Sequence, residues 1–506
     1  MIIHDAMVSD QSFRDLYGNN DDEGDDDDNR RIPDWLLERC EDAGWTHPTL
    51  IQERSLDAIL SSQQEDESSS SSSFVIQAQT GSGKTLTYLL PVLSKIDGSR
   101  AAIQALIVVP TRELGLQVAS VAKRLVGRRF LIMNVLQGSS LKRQRAWAWA
   151  ETPQVVIGTP SELLDMVQLG GLPRINSIQT VVVDEVDACL VHSSNVIHQE
   201  DTTATSTTNT KASLGSSSTA SALHILLSKY LSPTYLDDDD EPLNAGSSSM
   251  LLTDVPKSKQ VRRRVQQHRQ TLFCSATIPQ HNHFLKQCVA NQWVLQTPQF
   301  ICTSPGESLP PTLKHGYIVA ADDSKLPALR RTLQKVCSKN KKPKKILIFC
   351  EPHRDMEHMA EAIASDLDGG IVFQEYMMTD DNIINSDIVS ILRMENSLSQ
   401  RAAATKAFAS TTASTTSSNR IMLTTDVAAR GLDIMGITHV IHYDLANSAD
   451  SYVHRSGRAG RFGRKGQVIS IITSSQEFVL KRLANVLSLQ GEWKCIGRQT
   501  NKNKKK

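Results

Sequence analysis

The chain has 506 residues, too many for one hydrophobic core, which predicts two or three domains with accessory segments. Its 55 acidic and 55 basic residues balance, so a nucleic-acid site must come from local patterning and not from an overall positive field. The eight cysteines form no CxxC pair, and no apolar run nears the roughly 20 residues of a membrane helix, which argues against structural zinc and a membrane span.

Residues 1–31 are predicted to be a flexible acidic segment, because residues 21–28 form an acidic run. The first folded domain is predicted over residues 32–301, from short apolar runs that are followed by polar or glycine-rich residues. These runs lie at residues 74–76, 106–109, 155–157, 181–183 and 271–273. They are typical of strands that are buried on both faces of a parallel sheet.

A second domain is predicted over residues 312–490, where the same pattern begins again. Its apolar runs lie at residues 346–349, 421–423, 439–441 and 468–472. Residues 302–311 are rich in Pro, Gly and Ser and predict a linker. We therefore expect an α/β protein with two tandem parallel-sheet domains, whose ligands bind beyond the carboxyl ends of the strands.

Some stretches of the chain do not fit a compact core. Residues from about 193 to 260, rich in Ser, Thr and acidic side chains, predict a surface insertion with a short helical pattern at residues 222–230. Smaller insertions are predicted at about 366–386 and 409–418, and a basic tail at 491–506. We expect solvated, flexible segments, with contacts to protein partners or RNA as the alternative.

A phosphate-binding loop, or P-loop, is predicted at residues 79–85 (QTGSGKT), between the first predicted strand and an apolar helical pattern. We expect Gly81, Ser82 and Gly83 to turn backbone N–H groups toward phosphates, helped by the following helix N-terminus. Lys84 is expected to reach the β and γ phosphates. Thr85 is expected to hold Mg²⁺ through its hydroxyl.

An apolar strand that ends in carboxylates is predicted at residues 180–187 (TVVVDEVD). Without other motifs, a strand that ends in carboxylates is most often followed by a solvated turn. In a chain that also has a phosphate-binding loop, it predicts nucleotide hydrolysis. We expect Asp184 to bind Mg²⁺ and Glu185 to polarise the attacking water.

Three arginines stand three residues apart at residues 454–461 (HRSGRAGR), namely Arg455, Arg458 and Arg461, with Gly457 and Gly460 between them. This spacing predicts guanidinium groups on one side of a helical turn, which suits a polyphosphate.

Taken in order with residues 48–52 (PTLIQ), 110–114 (PTREL), 275–277 (SAT) and 425–434 (TDVAARGLDI), these motifs resemble the motif series of the DEAD-box RNA helicases. The resemblance spans about residues 32–480. It implies two RecA-like domains and an RNA-stimulated ATPase that uses ATP and Mg²⁺, unwinds short RNA duplexes or remodels ribonucleoproteins, and acts as a monomer. An ATP-gated RNA clamp or assembly scaffold with weak unwinding is the alternative.

The resemblance also implies roles for single residues. Lys84, Asp184, Glu185, Arg458 and Arg461 are expected to be catalytic, the two arginines as fingers that neutralise charge on the transferred phosphoryl group. The remaining expected roles are adenine contact for Gln52, ribose contact for Asp433, coupling of nucleotide to RNA for Asp187, Ser275, Thr277 and His454, and RNA backbone contact for Pro110, Thr111, Arg112, Gly138, Thr159, Pro160 and Thr425. Backbone contacts predict binding without sequence preference.

The chain departs from the family at several motif positions. Val186 replaces an alanine, Ser139 a glycine, and Leu398 a glutamine, for which Gln400 is the alternative. Ser161 and Glu162 stand where the family usually has Gly-Arg, and a carboxylate near a phosphate path predicts weaker or altered RNA binding.

An aromatic residue that often stacks on adenine is replaced by Asp27 when the family spacing is applied. Phe13, Tyr17 or Trp35 are the possible substitutes, and packing is the alternative for each. The composition predicts an intracellular protein, in the nucleus, nucleolus or cytoplasm, with an organelle left open.

Overall fold

A computed structural model describes residues 8–18, 32–62, 73–79, 81–191, 221–232, 269–278, 281–302, 309–337, 343–366, 370–372, 388–409, 418–431, 434–461, 464–489 and 493–498. The chain divides into two compact units. Residues 9–77 and 84–303 form the first, here called the N-terminal unit. Residues 304–506, with 1–8 and 78–83, form the second, here called the C-terminal unit.

The N-terminal unit contains a parallel sheet of seven strands. They are β1 (Phe74–Gln77), β2 (Ala105–Val108), β3 (Ile132–Val135), β4 (Val155–Gly158), β5 (Thr180–Asp184), β6 (Gln270–Ser275) and β7 (Gln299–Cys302), in the order β3-β4-β2-β5-β6-β1-β7. Its helices are α1 (Phe13–Tyr17), α2 (Asp34–Asp42), α3 (Leu50–Ser61), α4 (Lys84–Ser94), α5 (Arg112–Val126), α6 (Leu141–Ala150), α7 (Pro160–Gln168), α8 (Val186–Val191), α9 (Ala222–Ile225) and α10 (His281–Ala290).

The register of this sheet brings distant motifs to one edge. β2, β4 and β5 are buried along their whole length, as strands covered on both faces must be. Gln77 pairs with Ser275, and Asp184 pairs with Cys274. Because all these strands are parallel, their carboxyl ends lie at the same edge of the sheet.

The C-terminal unit contains a parallel sheet of eight strands. They are β8 (Leu313–Val319), β9 (Lys345–Phe349), β10 (Gly370–Val372), β11 (Ile388–Leu392), β12 (Arg420–Thr424), β13 (His439–His442), β14 (Gly466–Ile472) and β15 (Lys494–Arg498), in the order β10-β11-β12-β9-β13-β14-β8-β15. Its helices are α11 (Lys325–Val336), α12 (Met356–Asp366), α13 (Leu398–Ala409), α14 (Asp426–Ala429), α15 (Ala449–Ser456) and α16 (Glu477–Val486). No helix in the described ranges of either unit is long and apolar enough to cross a membrane.

The predicted fold class, two parallel-sheet α/β domains in tandem, is confirmed. Each strand predicted from the sequence is present, although β2 ends at Val108. Strands such as β3 (IMNV), β8 (LKHGYIV) and β15 (KCIGR) were missed, because polar residues interrupt their apolar runs. The proposed boundaries of domains and linker remain predictions.

The expectation of a surface insertion over about 193–260 does not hold for residues 221–232. α9 continues as a wider π-type turn at Leu226–Tyr230, and the segment packs into the core of the N-terminal unit. Leu223, Leu226, Leu227 and Leu231 are all buried there. Leu226, Leu227 and Leu231 follow Leu223 by three, four and eight residues, so the four leucines form one apolar stripe on the helix. The overall composition of the stretch does not reveal this stripe, because serines and acidic residues surround it.

The smaller insertion expected at about 366–386 is also wrong in part. α12 ends at Asp366, and β10 within this range pairs in parallel with β11. Residues 410–417 of the third expected insertion, like the acidic run at 21–28 and the last residues of the basic tail, lie outside the described part of the chain.

Candidate nucleotide and RNA site

The loop between β1 and α4 has the backbone that a phosphate cradle needs. Gly81 and Gly83 have φ angles of 81° and 94°, a region that side-chain-bearing residues rarely adopt. The Ser82 N–H donates to the Gln79 carbonyl at 3.3 Å, and the helix begins at Lys84. The positive end of this helix dipole therefore faces the space in front of the glycines.

Asp184, at the end of β5, is buried with only 4% of its surface exposed. The Tyr88 hydroxyl donates to its Oδ2 at 2.9 Å, and the Glu185 N–H donates to its Oδ1 at 2.9 Å. Burial and the neighbouring Glu185 charge raise the pKa of Asp184 to about 6, although Lys84 acts in the opposite direction. Burial and the Asp184 charge also raise the pKa of Tyr88 well above its usual value.

Glu185 has a backbone conformation that is rare for its residue type. Its φ of 45° lies in the left-handed region, and it stands between β5 and α8. Such a conformation costs on the order of 1–3 kcal/mol and occurs most often where function demands it.

The residues present fit a magnesium ion. Mg²⁺ prefers hard oxygen ligands and usually takes only one or two from the protein, with waters and phosphates completing its shell. The Asp184 carboxylate and the Thr85 hydroxyl are such ligands, and both interact with the Tyr88 hydroxyl. The raised pKa of Asp184 indicates a buried carboxylate whose charge a divalent cation would compensate.

Three residues expected to couple nucleotide to RNA lie together. The Ser275 hydroxyl donates to Asp187 Oδ1 at 2.6 Å, and the Thr277 hydroxyl donates to Oδ2 at 3.4 Å. The Thr277 N–H also donates to Ser275 Oγ at 3.2 Å. Asp187 therefore joins the start of α8 to the end of β6. The departure Val186 is buried in the core and leaves both neighbouring carboxylates in place.

Gln52 lies in the first turn of α3 and is buried. Its Oε1 accepts the Thr49 N–H at 2.8 Å as half of a capping box, which fixes the orientation of the amide. The structure shows this fixed orientation, and the adenine contact remains a prediction.

The three possible adenine-stacking residues have different surroundings, although Phe13 and Tyr17 are both buried. The Phe13 N–H donates to the Thr46 carbonyl at 2.9 Å, which places α1 beside the loop leading to Gln52. The Tyr17 hydroxyl instead donates to Asp57 at 2.9 Å, and the Trp35 ring packs edge-on against Phe130. The family spacing led to Asp27 because residues 19–31 lie between α1 and α2 and lengthen the chain there. These residues lie outside the described part.

The expected RNA contacts of the N-terminal unit lie beyond the carboxyl ends of β2, β3 and β4. Pro110 and Thr111 are buried before α5, and Thr111 Oγ1 accepts the Leu114 N–H at 3.3 Å. Arg112 Nε donates to the Gln137 carbonyl at 3.0 Å, next to Gly138 with its φ of 86°.

Thr159 and Pro160 begin α7, where proline suits the first helical turn. The Thr159 hydroxyl donates to the carboxylate of Glu162. The residue that replaces the usual family arginine therefore engages a group expected to meet RNA. In the C-terminal unit, Thr425 caps α14 by accepting the Ala428 N–H at 3.4 Å.

The expectation that three arginines share one side of a helical turn is wrong. α15 ends at Ser456, and Arg455 is only 3% exposed. Arg455 donates to Asp426 Oδ2 at 2.7 Å and to the Asp444 carbonyl at 2.6 Å, and its guanidinium lies 5.3 Å from the centre of the Phe349 ring. A carboxylate far along the chain therefore holds it inside the unit.

The other two arginines have local contacts beyond the end of α15. Arg458 Nε donates to the His454 carbonyl, and Arg461 Nε donates to the Gly457 carbonyl, both at 3.2 Å. His454, Arg458, Asp426 and Ser451 line a small cleft in the C-terminal unit. Asp433, the expected ribose contact, lies outside the described residues.

Comparison with known proteins decides the family. Residues 49–225 match the DEAD/DEAH box helicase family, and residues 324–463 match the helicase conserved C-terminal domain. The chloroplastic DEAD-box ATP-dependent RNA helicase 58 of Oryza sativa subsp. japonica is 31% identical over 465 residues, which cover 91% of this chain and 87% of that protein. The chain belongs to the DEAD-box ATP-dependent RNA helicases.

Other relatives agree with this assignment. The Arabidopsis thaliana helicase of the same name is 29% identical over 91% of this chain and 82% of its own length. S. cerevisiae Dbp5 bound to RNA and ADP BeF3 has the same fold, with a TM-score of 0.62 and 20% identity over 93% of this chain and 95% of that chain. As a member of the family, the 506-residue chain is an RNA-stimulated ATPase that uses ATP with Mg²⁺ and acts on RNA.

Proposed function

We propose that this DEAD-box helicase separates short RNA duplexes locally when ATP and RNA bind together. The observation that carries the catalytic assignment is the buried Asp184 carboxylate, held by Tyr88 and by the Glu185 N–H. Asp184 and Thr85 would hold the magnesium ion, which would neutralise phosphate charge. Glu185 would orient the attacking water, and Lys84 would bind the terminal phosphates.

The remaining nucleotide contacts are proposed on the family motifs. Gln52 would contact adenine, aided by Phe13, because α1 lies beside the loop that precedes Gln52. Asp433 would contact the ribose. Arg458 and Arg461 would supply the charge that stabilises the transition state, and such a finger contributes on the order of 10³-fold in rate or more.

Coupling between nucleotide and RNA would depend on Asp187. Its carboxylate accepts hydrogen bonds from Ser275 and Thr277, so a shift of α8 on nucleotide binding would move the end of β6. We assign His454 the matching role in the C-terminal unit.

RNA would be held through its backbone by residues at the carboxyl edges of the two sheets. Because phosphate and sugar contacts carry no base information, binding would be independent of sequence. The hydrogen bond from Thr159 to Glu162 favours a second candidate, an ATP-gated clamp that binds RNA but unwinds poorly.

The deciding experiment measures ATPase activity with and without RNA, beside unwinding of a short duplex. Lys84→Ala should lose nucleotide affinity and turnover. Arg458→Ala should bind ATP normally yet lose most RNA-stimulated turnover, and hydrolysis at the parent rate would remove the finger assignment. Stimulated hydrolysis without strand separation would favour the clamp, and absence of RNA stimulation would reject both candidates.

We further propose that the helicase works in an organelle, because two of its relatives are named chloroplastic. The test is to express the natural full-length protein with a C-terminal fluorescent tag and to observe its subcellular localisation. A purely nuclear or cytosolic signal would contradict it.

We expect a monomer, with protein partners binding the acidic and Ser/Thr-rich segments.

A further inference from the structure

Helix α6 carries an unusual set of side chains. Its sequence is LKRQRAWAWA, with three basic residues, two tryptophans and no acidic residue. Lys142, Arg143 and Arg145 are exposed, Trp147 is 37% exposed and Trp149 is 61% exposed. These five residues are called here the Arg–Trp surface. Packing in the fold does not account for the open part of Trp149, which has more than half of its surface exposed, whereas Trp147 is partly packed.

The helix places four of these residues in two pairs. Residues four apart lie on the same side, so Arg143 stands beside Trp147, and Arg145 beside Trp149. Residues two apart are turned by about 200° around an α-helix, so the two pairs lie on different flanks of α6. The side between them anchors the helix: Ala148 is fully buried, and Gln144 donates to the Asn134 carbonyl at 2.6 Å. Both pairs are therefore exposed beside an anchored face, on a helix whose position is fixed.

Trp149 is held by its edge and leaves its face open. The indole Nε1 donates to the Gly170 carbonyl at 2.9 Å. A ring that is fixed at one edge and exposed on its face loses little conformational entropy when a planar group stacks on it.

The cations on this surface have no side-chain partner in the described part of the chain. Lys142, Arg143 and Arg145 form no hydrogen bond or ion pair with any residue of the described ranges. Three uncompensated cations beside two aromatic faces are the combination that single-stranded nucleic acids bind, through phosphates and stacked bases. An apolar protein partner would gain from the tryptophans but would have to desolvate the cations.

The surface continues from the edge where RNA is expected. α6 follows β3, and only the loop with Gly138 separates them. Arg112 contacts the same loop through the Gln137 carbonyl. A ten-residue helix is about 15 Å long, so the exposed residues of α6 stay close to this loop.

We propose that the Arg–Trp surface binds single-stranded RNA that extends beyond the segment held at the sheet edge. The arginines and Lys142 contact phosphates, while bases stack on Trp149 and Trp147. This inference rests on the proposed RNA contacts at Thr111, Arg112 and Gly138. It gives the helicase a preference for duplexes with a single-stranded extension.

The test compares fluorescein-labelled oligouridines of two lengths. One is the shortest RNA that saturates ATPase stimulation, and the other is extended at its 3′ or 5′ end. Trp147→Ala/Trp149→Ala should weaken binding of one extended RNA by at least about 5- to 100-fold, the range for base stacking on one aromatic, and leave the short RNA unaffected. Trp147→Phe/Trp149→Phe should restore most of the affinity, because phenylalanine also stacks.

A second variant isolates the charges. Arg143→Gln/Arg145→Gln should lower the slope of log affinity against log salt by about 1 to 2 for the extended RNA only. Phe478→Ala, which changes a 74% exposed aromatic of the C-terminal unit, serves as the matched control. Circular dichroism verifies the fold of each variant.

Equal affinity of parent and variants for every RNA would overturn the proposal and leave the surface to a protein partner. Equal loss on short and extended RNA would also overturn it, because the surface would then belong to the main RNA contact. In either case intact ATPase stimulation by the short RNA would leave the proposed function standing.

Discussion

The Tyr88 hydroxyl donates a hydrogen bond to the Asp184 carboxylate at 2.9 Å, across 96 positions of the chain. Tyr88 is fully buried, and it lies on α4, the helix that follows the glycine loop. The bond therefore joins the helix that begins at Lys84 to the strand end that presents the expected magnesium ligand. In the sequence, Tyr88 lies within an apolar run and resembles an ordinary core residue.

Tyr88→Phe tests the importance of this bond. A hydrogen bond to a charged group is worth about 1.5–3 kcal/mol, so we expect ATP turnover to fall roughly 10- to 100-fold at limiting Mg²⁺. The bond also lowers the pKa of Asp184, so its loss should move the acid limb of the pH–rate profile to higher pH. Both are measured by steady-state ATPase assays over Mg²⁺ and pH. Tyr230→Phe, a partly exposed tyrosine, is the control, and a parental Mg²⁺ dependence in Tyr88→Phe would contradict the expectation.

Glu162→Gln should strengthen RNA binding. The change removes a negative charge and weakens the hold on the Thr159 hydroxyl, which can then turn to a phosphate. We expect about a 3- to 10-fold gain in affinity at low salt, equal to roughly 1 kcal/mol for one hydrogen bond. Fluorescence anisotropy with the short oligouridine measures it. Glu151→Gln, at an exposed site after α6, controls for net charge. Weaker binding would mean that Glu162 holds Thr159 in its productive orientation.

Leu226→Ala should destabilise the N-terminal unit. Leu226 is fully buried among core residues, and removing a buried leucine side chain costs about 2–5 kcal/mol. Urea unfolding measures the loss. Leu169→Ala, at a residue that is 48% exposed, should cost far less. Equal stability of the two variants would show that residues 221–232 contribute little to the core.

The stability of the C-terminal unit should depend on pH through His315. Its Nδ1 lies 2.7 Å from the Tyr452 hydroxyl, and burial lowers its pKa to about 4. The pKa of His315 in the folded chain lies below its value of about 6.5 in the unfolded chain. At pH values between these two pKa values, the unfolded chain therefore binds the proton more tightly. The stabilisation is full above pH 6.5 and is lost as pH falls toward 4.

Between pH 7.5 and pH 5 we expect this residue to account for a loss of about 2 kcal/mol. His315→Gln should reduce the difference between urea unfolding curves at these two pH values. His353→Gln, whose side chain is 71% exposed, should leave it unchanged. Burial also lowers the pKa of His442 well below its ordinary value, so part of the pH dependence should persist in His315→Gln.

The sequence by itself determined the family, the nucleotide chemistry and most of the strands. Gly81, Gly83, Lys84 and Thr85 act within one turn of chain, so their spacing alone specifies a phosphate cradle. Strands such as β5 are equally local, because a continuous apolar run can be satisfied only inside a sheet covered on both faces.

Tertiary structure decided which side chains meet. Arg455 looks equivalent to Arg458 in the sequence, but Asp426 and the Asp444 carbonyl hold it inside the unit. Tyr88 meets Asp184 because β1 and β5 both flank β6, and the order of strands in a sheet cannot be deduced from spacing along the chain. Such pairings depend on long-range packing, and only the folded chain brings these groups within hydrogen-bonding distance.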